Sequence, residues 1–379
     1  MPREPSRGTF RLLWWGALAF FFSFFLLLAA LPLYARAAGI PDRAIGGVLG
    51  AFAFAAMIVR PWAGWAADRR GRRPLMLAGA VVFLAAPLGY TTAAGIAGLL
   101  AVRLLHGCGM GLYPTAASAV VADLAPPERR GTLMGRFLAA PNIAMAFAPL
   151  AGVALVERAG FLPLFALAAA VAALAVLLTL RLPETAQRLA PLPLTPRALL
   201  SGAALWPSVI LMLLMLGYGA QMTFLPLYAQ SQDVNAGLFF LVFALVITLV
   251  RDVAGRLTDR VGRRAVATAG LVLAAAALVV LALGRGAVSL MTAGTLYGVG
   301  FGAATTALIA WCVDVVDPAN RGRALGTYYT ALEIGIFLGS LGAGFGVEAL
   351  GFAPTFLAAA GAALMGAGLA LAGAPRRRG

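Results

Sequence analysis

The chain has 379 residues, 62% of them hydrophobic and only 11% charged, and its mean hydropathy is +0.92. A soluble globular chain carries about 25% charged residues and about 45–50% apolar ones, so the charges here are too few to cover a soluble multidomain enzyme. The 29 basic residues outnumber 14 acidic ones and are all arginine; a nucleic-acid-binding protein would need a polar surface to carry them, and this composition does not supply one.

The first apolar run, 11–36, follows Arg3, Arg7 and Arg11. A signal peptide has that outline, but its apolar region is only about 7–15 residues long. Residues 12–35 carry no charge and as a helix would rise about 36 Å, enough to cross about 30 Å of hydrocarbon. The run is therefore expected to be a retained membrane span. Eleven more follow, at 44–67, 74–92, 95–122, 131–156, 160–180, 206–230, 236–257, 265–284, 286–313, 323–348 and 352–373. In lipid each segment must satisfy its own backbone polar groups, so such runs are helices. The expected fold class is an all-α membrane protein of twelve transmembrane helices, with six in 1–180 and six in 204–379. The polar segment 181–203, holding Pro183, Pro191, Pro193 and Pro196, reads as a cytoplasmic linker.

Arginine is enriched in cytoplasmic loops. With the N-terminus inside, 22 arginines fall on the cytoplasmic side, four fall outside (Arg36, Arg43, Arg158 and Arg285) and three lie within spans (Arg60, Arg103 and Arg251). This places both termini in the cytoplasm and accounts for the charge without nucleic acid. Cys108 and Cys312 lie far apart in apolar stretches, in neither a metal-ligand nor a disulfide spacing, and read as small packed hydrophobes.

The chain repeats itself at an offset of 191 residues. Arg60, Gly64, Asp68, Gly71, Gly107, Asp123 and Gly135 meet Arg251, Gly255, Asp259, Gly262, Gly298, Asp314 and Gly326. Glu157 and Phe161 meet Glu348 and Phe352, and the run LPLYA at 31–35 recurs at 225–229, at offset 194. Each half holds six crossings, so both copies enter the membrane in the same direction. Parallel halves of this kind are a transporter architecture, with the site expected between them near mid-membrane.

The strongest local signal is GWAADRRGRR at 64–73, repeated as GRLTDRVGRR at 255–264, each in the short loop after the second span of its half. Here the chain resembles the major facilitator superfamily, whose signature in this loop is G-x-L-A-D-R-x-G-R-R; Ala66 stands where leucine is usual. The resemblance extends over essentially the whole chain. It implies that Gly64, Asp68, Arg69, Gly71 and Arg72, with Asp259, Arg260, Gly262 and Arg263, form an inner gating latch. Asp68 would then face residues 321–326 and Asp259 residues 130–135, because an aspartate accepts from the free N–H groups at a helix start. The arginines would also contact anionic lipid. A topology signal alone accounts for Arg70 and Arg73.

In the fourth span, RLLHGCGMG at 103–111 resembles the family's R-x-x-Q-G-x-G motif, with His106 in place of glutamine. An intramembrane arginine is costly and faces the bundle interior or a water path, and the family associates it with proton coupling or substrate contact. His106 is a second coupling candidate, or a structural hydrogen-bonding group. The fifth span carries Gly135, Ala144, Ala148, Pro149 and Gly152, a diluted form of the antiporter motif of the drug and metabolite efflux branch. Small residues so spaced also simply permit close helix packing.

Glu333, about ten residues into the eleventh span, is the only carboxylate in the sequence placed near mid-membrane. It is the third coupling candidate, a proton carrier or a structural acid. Antiporters that resemble this chain often carry an acid in the first span, where 16–30 offers only Ser23 as a polar residue. By family analogy the solute path is lined by Tyr113, Tyr218, Gln221, Met222, Tyr297 and Phe301, with Asn142 and Tyr329 from adjacent helices. Apolar walls with few polar groups suit a hydrophobic or amphipathic solute.

The resulting expectation is a monomeric secondary transporter in a bacterial cytoplasmic membrane. It would export such a solute against proton influx, with the proton gradient as driving force and neither cofactor nor metal. Transport of a polar metabolite, or a non-transporting sensor or scaffold on the same fold, are the alternatives.

Overall fold

The computed structural model describes residues 7–125, 130–185, 201–317 and 321–373, with all their side chains except those at 7, 68, 130–132 and 322. Among them are thirteen helices: α1 (Arg7–Leu28), α2 (Ala30–Ala37), α3 (Asp42–Arg70), α4 (Arg72–Thr92), α5 (Gly95–Leu124), α6 (Arg130–Ala159), α7 (Phe161–Leu180), α8 (Leu205–Gln230), α9 (Gly237–Val261), α10 (Arg263–Leu283), α11 (Gly286–Asp314), α12 (Arg321–Leu350) and α13 (Phe352–Ala372). Twelve are long and apolar enough to cross a membrane; α2 continues the first crossing. Pro32 explains that break. A proline ring three residues beyond Ala29 clashes with the carbonyl of Leu28 and offers it no N–H, and the turn falls at Ala29. Pro226, its repeat partner, sits inside an unbroken α8.

The chain divides into two compact units, Met1–Tyr34 with Ala51–Leu194, and Ala35–Gly50 with Thr195–Gly379. In the first, α1 packs on α6 and α7, and α4 on α5 and α7. Phe20 stacks between Phe83, 3.8 Å away, and Tyr113, 4.1 Å away. In lipid the surroundings are as apolar as the helix faces, so close packing and hydrogen bonds must join the helices. Ser23, fully buried, donates to the Ala168 carbonyl at 2.8 Å. Tyr34, from the LPLYA run, donates to the Tyr90 carbonyl at 3.0 Å.

The second unit repeats these devices. Tyr228 donates to the Gly284 carbonyl at 2.6 Å and meets Phe356 edge-on at 5.5 Å, as Tyr34 meets Phe165 at 5.0 Å. Glycine lets α4 approach α5 and α10 approach α11: a Cβ on Gly79 would lie 2.8 Å from the Tyr113 nitrogen, and one on Gly270 2.6 Å from the Ala304 nitrogen. Residues 42–50 also pack within the second unit. Glu348 accepts from the Arg43 N–H at 2.9 Å, a carboxylate set against the positive end of α3.

Gly270→Ala is expected to destabilise the protein by about 1–3 kcal/mol through overpacking against backbone. Gly361→Ala is the control, because a Cβ there meets no described atom within 4 Å; in a helix it should be neutral or stabilise by up to about 1 kcal/mol. Unfolding midpoints of the purified variants in one detergent check the opposite signs.

Candidate functional site

The two repeated loops turn at Gly71 and Gly262, with φ of +103° and +96°, a region that only glycine enters at no cost. In the second unit, Arg263 reaches Asp259 at 2.6 Å, Asp314 at 2.9 Å and the Thr258 carbonyl at 2.9 Å. In the first, Arg72 reaches Asp123, the repeat partner of Asp314, at 3.3 Å. The side chain of Asp68 lies outside the described residues. Arg69 is exposed and lies 4.7 Å over the Trp65 ring; Arg260 is exposed. An added Cβ at Gly64 or Gly255 would meet no described atom within 4 Å.

Exposed ion pairs contribute about 0–1 kcal/mol each, so these pairs alone hold the loops weakly. The first loop has a stronger hold that its motif does not reveal. Glu184, just past α7, accepts from the backbone N–H groups of Arg72 at 2.8 Å and Arg73 at 3.1 Å, capping the start of α4. Thr185 donates to Asp123 at 2.9 Å, Arg73 to the Leu180 carbonyl at 2.5 Å, and Leu182 is buried. At the linker's far end the Ser201 N–H donates to the Thr327 hydroxyl at 2.8 Å. Each end of the 181–203 segment is thus fastened to the unit it adjoins.

Capping by a residue more than a hundred positions away leaves no trace in local spacing, so Glu184 was not legible as a site residue. Glu184→Ala is expected to cost about 0.5–2 kcal/mol, the usual price of a lost helix cap. It should also raise amide exchange across 71–75 specifically, as hydrogen-exchange mass spectrometry would detect.

The first unit holds a buried polar group among aromatic rings. Arg103, 6% exposed, lies 4.5 Å over the Phe52 ring, with the Tyr90 hydroxyl within its electrostatic reach. That hydroxyl is 3.2 Å from Nδ1 of fully buried His106. The imidazole meets the edges or faces of Phe83 at 4.3 Å, Phe52 at 5.3 Å and Phe24 at 6.1 Å, and its Nε2 has no hydrogen-bond partner among the described residues. Arg103 and His106 were sequence candidates. Tyr90, the hydrogen-bond partner of His106, was not, because a tyrosine near a span's end carries no signal of its own. In the repeat their partners are Gly294, Tyr297 and Leu281, so this polar group belongs to the first half only.

The second unit gathers a different set. Glu333 is 5% exposed on α12, with Tyr218 of α8 within its electrostatic reach. Tyr218, Phe243, Tyr297 and Phe301 form an aromatic wall with ring centroids 5.1–6.4 Å apart. Gln221 is fully buried with both amide atoms lacking partners among the described residues, as is the Tyr297 hydroxyl. Met222 is buried, whereas Tyr329 is 42% exposed. Of the candidates in the first unit, Asn142 is half-buried and Tyr113 lies in the core against Phe20.

Comparison with known proteins agrees with this architecture. The model of the Major Facilitator Superfamily matches residues 13–252 and 233–379. The chain is 24% identical over 359 residues to the staphylopine export protein of Staphylococcus aureus, covering 88% of each chain. It is 23% identical over 140 residues to the quinolone resistance protein NorA of the same species, covering 37% of this chain and 36% of that one. Among solved structures, the human organic anion transporter MFSD10 superposes with a TM-score of 0.70 at 22% identity, covering 98% of this chain and 100% of that one.

Proposed function

The chain belongs to the major facilitator superfamily, a family of membrane transporters and not of enzymes, and from that premise we propose that it couples proton entry to the export of a small hydrophobic or amphipathic solute by alternating access. The observation that carries this reading is Glu333. It is a carboxylate 5% exposed in the middle of α12, beside an aromatic wall, where an ionisable group is expensive and functional by default. One carboxyl that accepts either a proton or the solute supplies the exchange an antiporter needs. The names of two relatives, an export protein and a drug-resistance protein, support the outward direction. Arginine placement supports a bacterial cytoplasmic membrane with both termini inside, and the loops at 64–73 and 255–264 then act as the cytoplasmic latch.

The test is flux in proteoliposomes holding the purified protein, with a fluorescent fluoroquinolone and ethidium as probes. An imposed pH gradient should drive probe uphill, with proton movement in the opposite sense. Probe flux that is the same after the gradient is collapsed would remove the coupling, and transport of a polar metabolite would then be the better reading.

A further inference from the structure

A cavity of about 420 Å³ opens where α8 and α10 end and α11 and α13 begin, wholly within the second unit. Tyr228, Ser231, Gln232, Leu283, Arg285 and Ala353 are on its wall. The arginine placement makes this the outer end of the unit.

The two turns that frame the cavity recur in the first half. Gly39 and Asp233 share a positive φ, +76° and +54°, as do Gly95 and Gly286, +62° and +73°. These markers align Ala37 with Ser231, Ala38 with Gln232 and Ala94 with Arg285. The turns therefore form with alanine at all three positions, and folding does not call for the polar set. Arg285 is even ill-placed for stability. It is the N-cap of α11, where small polar side chains are favoured and the helix dipole opposes a positive charge. Arg36 and Arg43, two other arginines read as outer, hold Asp42 at 2.6 Å and Glu348 at 3.6 Å. The exposed Arg285 side chain has no such partner among the described residues, and Asp233, in the turn beside Gln232, is exposed and equally unpaired.

Hydrogen bonds sort the remaining groups into donors and acceptors. Gln232 Oε1 accepts from the Gly286 N–H at 2.6 Å, which leaves its NH2 group as a donor alongside the guanidinium. Tyr228 donates to the Gly284 carbonyl at 2.6 Å and Ser231 to the Tyr228 carbonyl at 2.7 Å, so both hydroxyls offer a ligand only lone pairs. A fitting ligand accepts at Arg285 and Gln232 and donates to the hydroxyl oxygens. Leu283, on the cavity wall, is 72% exposed, and Val288 and Leu350 on adjoining helix ends are also exposed; in a bilayer such side chains meet acyl chains.

We propose that this cavity binds a phospholipid headgroup, with the phosphodiester at Arg285 and the Gln232 amide. The headgroup alcohol carries a donor of its own, as glycerol and ethanolamine do and choline does not. Inorganic phosphate presents the same acceptor oxygens, but the exposed aliphatic rim favours the lipid. The site is independent of Glu333 and of proton coupling; only the leaflet that supplies the lipid rests on the orientation proposed above.

The full-length protein in detergent is titrated with dioleoyl phosphatidylglycerol, phosphatidylethanolamine or phosphatidylcholine, and bound lipid is read by native mass spectrometry. The first two should bind at least threefold more tightly than the third. Arg285→Ala installs the first half's residue; Gln232→Glu keeps the acceptor for Gly286 and replaces the donor with a carboxylate oxygen. Each should weaken phosphatidylglycerol at least threefold. Arg158→Ala removes an exposed arginine from the first unit and should change nothing, which separates the cavity from general attraction to basic surface. If Arg285→Ala does not fold, Gln232→Glu decides. Phosphatidylglycerol binding that is indifferent to both substitutions, weakened as much by Arg158→Ala, or matched by phosphatidylcholine overturns the site. Inorganic phosphate that displaces phosphatidylglycerol at millimolar concentration would assign the cavity to a free anion and overturn the lipid.

Discussion

Glu333→Gln is expected to reduce gradient-driven transport to the level of empty liposomes while leaving a folded protein. Glutamine has nearly the same volume and keeps a hydrogen-bonding head, so the packing of α12 against α8 should survive. The neighbouring backbone there is tight: a Cβ on Gly335 would sit 2.6 Å from the Met212 carbonyl. Removing an ionisable group from a position 5% exposed lifts a desolvation cost, and the amide keeps a hydrogen-bonding head, so the unfolding midpoint should change little. What glutamine cannot do is release a proton on one side and take one up on the other. The diagnostic pattern is therefore split: uphill transport lost, downhill exchange of solute for solute retained at saturating solute but with weaker apparent affinity, because the same carboxyl is proposed to take up the solute. Uphill transport at the wild-type rate would exclude Glu333 as the carrier. Loss of exchange even at saturating solute would show that the variant fails at a step other than proton release.

Much of the fold was legible because the bilayer imposes length. The expected spans 44–67 and 206–230 correspond to α3 and α8, and the break at Ala29 is the main departure. Its cause, Pro32, was visible, but so is Pro226 in an intact helix, and sequence alone does not say which proline will break its helix. The paired loops were legible because glycine and charge recur at fixed spacing. Asp123 and Asp314 stood out as repeat partners, and both accept from the loop arginines. Glu184 and Tyr90 were hidden for the opposite reason, since each acts through a tertiary contact, one on a helix start and the other on a buried imidazole. The repeat was informative a second time, in its failures. Arg103 against Gly294, His106 against Tyr297 and Asn142 against Glu333 mark positions where the halves fold alike and differ in chemistry.

Arg103→Lys is expected to impair transport severely although the charge is kept. The guanidinium lies 4.5 Å over Phe52, with the Tyr90 hydroxyl within its electrostatic reach. A planar cation stacks on the ring, whereas an ammonium is a compact point charge that hydrates strongly and cannot stack. A desolvated cation–π contact contributes about 2 kcal/mol. Its loss corresponds to roughly tenfold or more in any step that depends on it. His106→Gln supplies the contrast. Glutamine can still accept from Tyr90, 3.2 Å away from the ring nitrogen it replaces, so the Arg103–Tyr90 arrangement should persist and transport should stay within a few-fold of wild type. If His106→Gln instead abolishes proton-coupled flux and Arg103→Lys leaves it intact, the imidazole moves the proton. With the expected order, the imidazole is a buried partner that positions Tyr90, and the burden of coupling in this half falls on Arg103.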